Sequence, residues 1–179
     1  EMIMKEEEKI LNAVDPNFSF TGETRVLLGN KKLRRLDRIK PDTFVLSIDA
    51  NSLELIPVKV TDSVALKEIK VHPSFDKWTF SDNSFLKTVG KVKVFSIEKQ
   101  GFDFLENCEI GEHILKADGS EVRLIEHKCY KRCVHYFSLE LSTNNFIANG
   151  FIVGLNEAQN FDYKNLNFLK YKTALILGR

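Results

Sequence analysis

Asn144-Asn145-Phe146-Ile147-Ala148-Asn149-Gly150-Phe151-Ile152-Val153-Gly154-Leu155-Asn156 is the stretch on which the fold turns. Two short apolar runs flank an Ala-Asn-Gly turn, and Asn-Gly between apolar runs is a strong local signal for a β-hairpin. Asn144, Asn145 and Asn149 read as turn formers, because Asn tolerates the left-handed backbone conformation. The stretch ends on Asn156, after which the sequence becomes more polar.

Working outward, residues 18 to 153 hold short β-rich runs punctuated by Thr-Gly, Gly-Asn, Pro-Asp, Asp-Asn, Asp-Gly and Asn-Gly. That spacing predicts an all-β domain built from hairpins. Residues 4 to 14, acidic at first and then carrying Ile10, Leu11 and Val14, predict a short helix stopped at Asp15-Pro16. Residues 157 to 179 mix Asn and Lys with Leu166, Phe168, Leu169, Leu175 and Ile176, a helix or a strand end beyond the main domain. The expected organisation is therefore a helical flank over 1–17, a β domain over 18–156 and a C-terminal flank over 157–179.

A repeat lies inside the β region. Leu36 to Asp49 aligns without a gap on Leu105 to Asp118, placing Val45-Leu46 over Ile114-Leu115 and Asp49 over Asp118. Extended further, Leu53–Ile56 falls over Val122–Ile125. Each copy reads as a turn, a buried strand, a polar turn and an alternating strand, so the expected fold is a pseudo-two-fold β domain made by duplication. Asp42, Asp49 and Asp118 read as turn residues of these units.

The chain of 179 residues is long enough for one domain with a real core. Its net charge of +1 gives no reason to expect nucleic acid or a membrane surface as partner. No apolar run approaches the roughly 18 residues of a membrane span. The cluster Lys31-Lys32-Leu33-Arg34-Arg35 reads as a solvated turn and strand edge. Cys129 and Cys133 beside His127 and His135 have the composition of a metal site, but on a segment that alternates like a strand only one or two of the four could converge on an ion. No metal or other cofactor is therefore expected, and Cys108, Cys129 and Cys133 read as buried or edge thiols. His113 likewise reads as a surface residue.

Ser19-Phe20-Thr21-Gly22-Glu23-Thr24-Arg25-Val26-Leu27-Leu28 and the terminal hairpin ending at Asn156 together resemble the two ends of self-processing domains of the hedgehog/intein (Hint) superfamily. The internal duplication agrees with that resemblance, which implies an intein-like pseudo-two-fold fold. It also implies that Ser19 attacks the Phe18 carbonyl in an N–O acyl shift, and that the Asn156 side chain cyclises onto its own carbonyl. The substrates would be the chain's own junctions, Phe18–Ser19 and Leu155-Asn156-Glu157, joined to flanking domains of a host protein.

The family's Thr-x-x-His element holds the first scissile peptide and protonates its leaving amine. Trp78-Thr79-Phe80-Ser81-Asp82-Asn83-Ser84-Phe85-Leu86 resembles the surrounding pattern: Asp82, Phe85 and Leu86 fit, Asn83 takes the His place, and Thr79 stands beside the Thr place, which falls on Phe80. Asn83 can donate to an oxyanion but cannot shuttle a proton at neutral pH. His72 is a displaced alternative. At the second junction Leu155 replaces the usual His, and Glu157 cannot accept an acyl group. The implied activity is weak, trapped or lost self-cleavage without splicing. The alternative is a non-catalytic β module of a larger protein. A hedgehog-type transfer to a sterol would need a larger, more apolar addition than residues 157–179 supply.

Overall fold

The computed structural model describes residues 16–63 and 70–168. The helix expected over residues 4–14 lies outside them. The first half of the chain forms β1 (Ser19–Thr21), β2 (Arg25–Leu27), β3 (Leu33–Arg35), β4 (Phe44–Asp49), β5 (Glu54–Lys59), β6 (Asp62–Ser63), β7 (Lys70–His72), β8 (Phe75–Phe80) and β9 (Phe85–Val89). The second half forms β10 (Lys93–Ser96), β11 (Gly101–Phe104), β12 (His113–Leu115), β13 (Glu121–Tyr130), β14 (Val134–Phe137), β15 (Leu139–Glu140), β16 (Asn145–Ala148) and β17 (Phe151–Gly154). Only single 3-10 turns interrupt them among the described residues, so the all-β expectation stands.

The Asn-Gly hairpin lies inside the sheet, its strands third and fourth from the β3 edge. Asn149 (φ 50°) and Gly150 (φ 86°) both take the positive φ that a two-residue type I′ turn requires. β16 and β17 then pair from Ala148↔Phe151 to Asn145↔Gly154, with β2 bonded outside β16 and β10 outside β17. Both strands are fully buried because both faces are covered. Phe146, Ala148, Phe151 and Val153 point into one core with Phe20, Trp78, Phe80 and Leu155. Ile147 and Ile152 point into a second core with Phe95, Leu115, Phe161 and Leu166. Each such side chain contributes about 1.5–3 kcal/mol by leaving water.

β12 and the long β13 carry the sheet from β10 onward. A register irregularity between Leu124 and Glu126 lets β13 pair first with β12 and then with β8, beyond which come β9, β1, β14 and the edge strand β7. Residues 157–168, expected as a flank, close over the second core. Phe161 stacks on Phe95 with ring centroids 4.6 Å apart, and Asn160 Oδ1 accepts from the Phe102 backbone N–H at 2.8 Å.

The two repeat units make matching bonds. Leu36 N–H donates to Thr24 O and opens a 3-10 turn; Leu105 N–H donates to Val92 O and does the same. Asp42 and Gly111 both follow in the left-handed region. Asp42 N–H donates to Val60 O and Val60 N–H to Thr43 O, while Gly111 and Glu112 trade the same pair of bonds with Leu124. Val60 thus corresponds to Leu124, and the gapless extension of Leu53–Ile56 over Val122–Ile125 is corrected. The β4–β5 arm is longer than the β12–β13 arm, and a gapless alignment cannot follow it past the turn.

Candidate functional site around Phe18–Ser19 and Asn156

Ser19 begins β1 and is 3% exposed. β1 is held between β9 (Ser19↔Val89, Phe20↔Thr88) and β14 (Phe20↔Phe137). The Ser19 hydroxyl donates to the Asn17 carbonyl at 3.4 Å, a long contact that leaves the oxygen weakly engaged. Phe18 has φ 63°, a left-handed conformation that costs a residue with a Cβ about 1–2 kcal/mol. Its surroundings hold it there: Phe18 N–H donates to Lys91 O at 2.7 Å, Lys91 N–H donates to Asn17 Oδ1 at 2.8 Å, and the Phe18 ring packs against Phe104.

The segment that clasps this junction is Thr88-Val89-Gly90-Lys91. Gly90 (φ 73°) runs so close to the backbone of Pro16 and Asn17 that a Cβ there would come within 2.9 Å of it. Thr88 is wholly buried beside Phe20, and its Oγ1 accepts from Trp78 Nε1 at 2.9 Å. Glu106, on the 3-10 turn after β11, lies in the field of Lys91, Asp76 and His127. Although the residue is exposed at the surface, partial desolvation of its carboxyl raises it above the ordinary range; its own backbone N–H opposes this, Asp76 adds to it, and Lys91 and His127 oppose it. His127 stacks flat on Trp78 at 3.7 Å, and its Nε2 pairs with Asp76 Oδ1 at 2.7 Å.

Asp82 and Asn83 stand elsewhere. They occupy the turn between β8 and β9, at the far end of β9 from Ser19. Asn83 is exposed with φ 69°, its N–H donating to Phe80 O. Asp82 Oδ2 accepts from Lys116 Nζ at 2.8 Å, and Lys116 is only 1% exposed, with its ammonium over the Phe151 ring. Burial alone would raise the Asp82 carboxyl; the Lys116 ammonium and the Ser84 hydroxyl and N–H outweigh it and hold it below its ordinary 3.8. This turn borders an open cleft of about 610 Å³ with Thr24, Arg25, Phe85 and Asn149, which Ser19 does not line. Thr79 sits in mid-β8 opposite Phe85 and Glu126. His72 is in edge strand β7, two strands beyond β1, with its Nδ1 on Ser74 O.

Leu155 is buried in the first core and donates its N–H to Asn144 O, which leaves Asn156 and Glu157 exposed just past the end of β17. The Asn156 carbonyl oxygen accepts from Lys93 Nζ at 2.9 Å. Lys93 also pairs through its backbone with Gly154, and its ammonium lies 5.8 Å from the Phe18 ring centroid and 5.3 Å from that of Phe104. Residues 91–93 therefore touch both Phe18 and Asn156. Ser19, Phe18, Leu155, Asn156 and Glu157 belong to this one neighbourhood; Asp82, Asn83 and Thr79 do not.

Sequence reasoning did not single out Thr88, Lys91, Lys93 or Glu106. It also misread Asn145, which is not in a turn. Asn145 lies within β16, 2% exposed, where its Oδ1 accepts from Ser47 and Ile48 N–H, and its Nδ2 donates to Ile48 O and Thr143 O. Asn144 (φ 58°) and Asn149 are turn residues as expected. Cys129 and Cys133 are exposed, whereas Cys108 is half-buried, its thiol pushed up to about 12 by burial and the neighbouring Glu112.

No family model matches the sequence, and no curated protein matches it. Solved structures do. A DnaB intein from Synechocystis sp. PCC 6803 superposes with TM-score 0.64 at 17% identity, over 77% of this chain and 98% of that one. A bacterial intein-like domain from Clostridium thermocellum gives 0.66 at 15%, over 77% and 98%. The gp41-1 intein gives 0.59 at 15%, again over 77% and 98%. Identity this low speaks to architecture alone: this chain has the Hint fold of inteins and intein-like domains.

Proposed function

We propose that this chain is a slow Hint-type self-processing domain, whose substrates are its own Phe18–Ser19 and Asn156–Glu157 peptides within a larger host protein. The observation that carries the reading is the meeting of both junctions on residues 91–93: Lys91 O receives the Phe18 N–H, and Lys93 Nζ reaches the Asn156 carbonyl. A β domain with no processing history has no reason to bring these two peptides together.

The matched bonds of the two repeat units support a duplicated, pseudo-two-fold origin. The pairing of β1 with β9, which stand in corresponding places before β2 and β10, agrees with it.

At the first junction the Ser19 hydroxyl attacks the Phe18 carbonyl carbon, the C–N bond breaks, and the Ser19 amine leaves with a proton, giving an ester. The left-handed Phe18 stores part of the cost of distorting that peptide. Thr88-Val89-Gly90-Lys91 takes the part of the family's Thr-x-x-His element here, with Lys in the His place. Lysine is a poorer proton shuttle than imidazole near neutrality, which makes the step slow. Glu157 offers no hydroxyl or thiol to receive the acyl chain, so the reaction ends in cleavage.

One observation favours a second reading, a scaffold that no longer cuts. Phe161 and Leu166 beyond Asn156 are buried in the second core, so scission there would leave a nicked, still-packed domain and free nothing promptly.

Intact-mass measurement of the full chain, incubated with and without hydroxylamine, decides between the readings. The expected result is slow cleavage before residue 19, trapped faster by hydroxylamine, abolished in Ser19→Ala and accelerated in Ser19→Cys, whose thiolate is the better nucleophile. Cleavage that continues in Ser19→Ala, or an uncut chain in both the wild type and Ser19→Cys, would overturn the assignment.

A further inference from the structure

At the C-terminal junction the chain lacks the imidazole that the sequence resemblance implies, since Leu155 is an apolar anchor in the core. Cyclisation of an Asn side chain is hard without help. The amide nitrogen is a weak nucleophile, and attack places a full negative charge on the carbonyl oxygen. A cation or strong donor already resting on that oxygen lowers this barrier more than any other single group.

Lys93 is placed for that part. Its Nζ stands 2.9 Å from the Asn156 carbonyl oxygen, the atom on which the charge develops. Three features hold the ammonium there. The Lys93 backbone pairs with Gly154, two residues before Asn156, so the base of the side chain and the target sit on adjacent strands. The same strand pairs with β11 on its other side, at Phe104. Finally, the faces of Phe18 and Phe104 flank the charged end at 5.8 and 5.3 Å, as cation–π contacts do.

Building on the self-processing reading, we infer that Lys93 is the oxyanion-stabilising catalytic residue of the Asn156 cyclisation. The Asn156 side-chain nitrogen attacks the Asn156 carbonyl carbon, and the oxygen takes up the charge against Lys93 Nζ, which remains protonated throughout. Collapse breaks the bond to the Glu157 nitrogen, which takes a proton from water; the attacking nitrogen gives one to water. The products are a chain ending in a C-terminal succinimide and a new amino terminus at Glu157.

The test uses the full chain in a Ser19→Ala background, which silences the first junction, and follows release of the Glu157 fragment by denaturing intact mass. Asn156→Ala is the control that must stop it. Lys93→Met should slow release at least about tenfold, short of the ~10²–10³ lost with a fully preorganised oxyanion donor, because Lys93 is partly exposed. Lys93→Arg, which restores a cation and donors of similar reach, should recover most of the rate. Lys93 is not buried in either core, so near-ultraviolet circular dichroism and the urea midpoint should match the parent.

Release from Lys93→Met at the parental rate overturns the assignment and leaves self-processing standing. Absence of any Asn156-dependent release from the parent overturns both. Loss of release in Lys93→Met without rescue by Lys93→Arg, accompanied by a lowered urea midpoint, assigns Lys93 a structural part and overturns the catalytic one.

Discussion

At the Phe85 end of β9, the turn Ser81–Ser84 is tied to the core by a part-buried ion pair, Asp82 to the buried Lys116. At the Val89 end, Gly90 and Lys91 hold the peptide that precedes Ser19. The first turn matches the family pattern in sequence, through Asp82, Phe85 and Leu86; the second has the position. Both are short, polar and contain a left-handed residue, Asn83 in one and Gly90 in the other. The difference between them is what each is bonded to. The first locks two parts of the sheet together, and the second faces a strained, non-regular peptide. A local pattern can report a turn, but only pairing across the sheet tells which turn meets Ser19.

The sharpest way to break this comparison is to remove Asp82. Asp82→Ala leaves the ammonium of Lys116, 1% exposed, without its carboxylate. Because Asp82 is itself about a third exposed, the cost is set near 2–3 kcal/mol, below the full penalty for an uncompensated buried charge. Urea unfolding reads it. Cleavage before Ser19 in the still-folded fraction should be unchanged, and a stable variant that no longer cleaves would return the catalytic part to this turn. The same pair makes a pH prediction. Folding lowers the Asp82 carboxyl below its ordinary 3.8, so the unfolded chain binds the proton more readily. The pair's contribution is therefore complete above about pH 4 to 5 and fades as pH falls through 3.8 and then through the lowered folded value. Asp82→Asn should flatten that acid limb of the stability curve.

Thr88 sharpens the comparison from the other end. Thr88→Val keeps the shape but leaves Trp78 Nε1, on a side chain 2% exposed, without its acceptor. A buried donor stranded in this way costs about 1–2 kcal/mol. If the Thr88–Lys91 segment holds the first junction, the variant should also slow cleavage before Ser19 several-fold more than its loss of stability explains. A variant that loses stability alone would make Thr88 a packing residue only. The readouts are the urea midpoint and the hydroxylamine-trapped cleavage rate, measured together.

How much of this was legible depended on how far apart the interacting residues lie. The Asn149-Gly150 hairpin is local, and its turn type follows from two residues. Ser19 at the head of β1 and Asn156 beyond β17 were legible from the ends of one pattern. The repeat was legible across Leu36–Asp49 and Leu105–Asp118, where both units keep the same length, and was lost where the β4–β5 arm grows longer. Asn145 was not legible: its partners, Ser47 and Ile48, lie 98 and 97 residues away, and an Asn inside an apolar run looks like a turn. The junction clasp failed for the same reason. Thr88 and Val89 meet Phe20 and Ser19, and Lys91 meets Phe18, through a strand register that no window of adjacent residues contains. The closing segment was hidden by its polar neighbours, although Phe161 and Leu166 enter the second core and Tyr163 and Phe168 pack against it.

The smallest expected effect is also the most discriminating. Asn83 holds φ 69° at the tip of the β8–β9 hairpin, exposed, with its backbone N–H satisfied by Phe80 O. Replacing it by Gly removes the mild left-handed cost and adds freedom to the unfolded chain, and these opposing terms nearly cancel. Asn83→Gly should therefore change stability by no more than about 0.5 kcal/mol. The substitution deletes the side-chain amide, the one group through which this position could serve as an oxyanion donor. If the tip is only a turn, cleavage before Ser19 proceeds at the parental rate. A tenfold fall at unchanged stability would mean that the tip approaches the junction during reaction, and that the two ends of β9 act on one peptide after all.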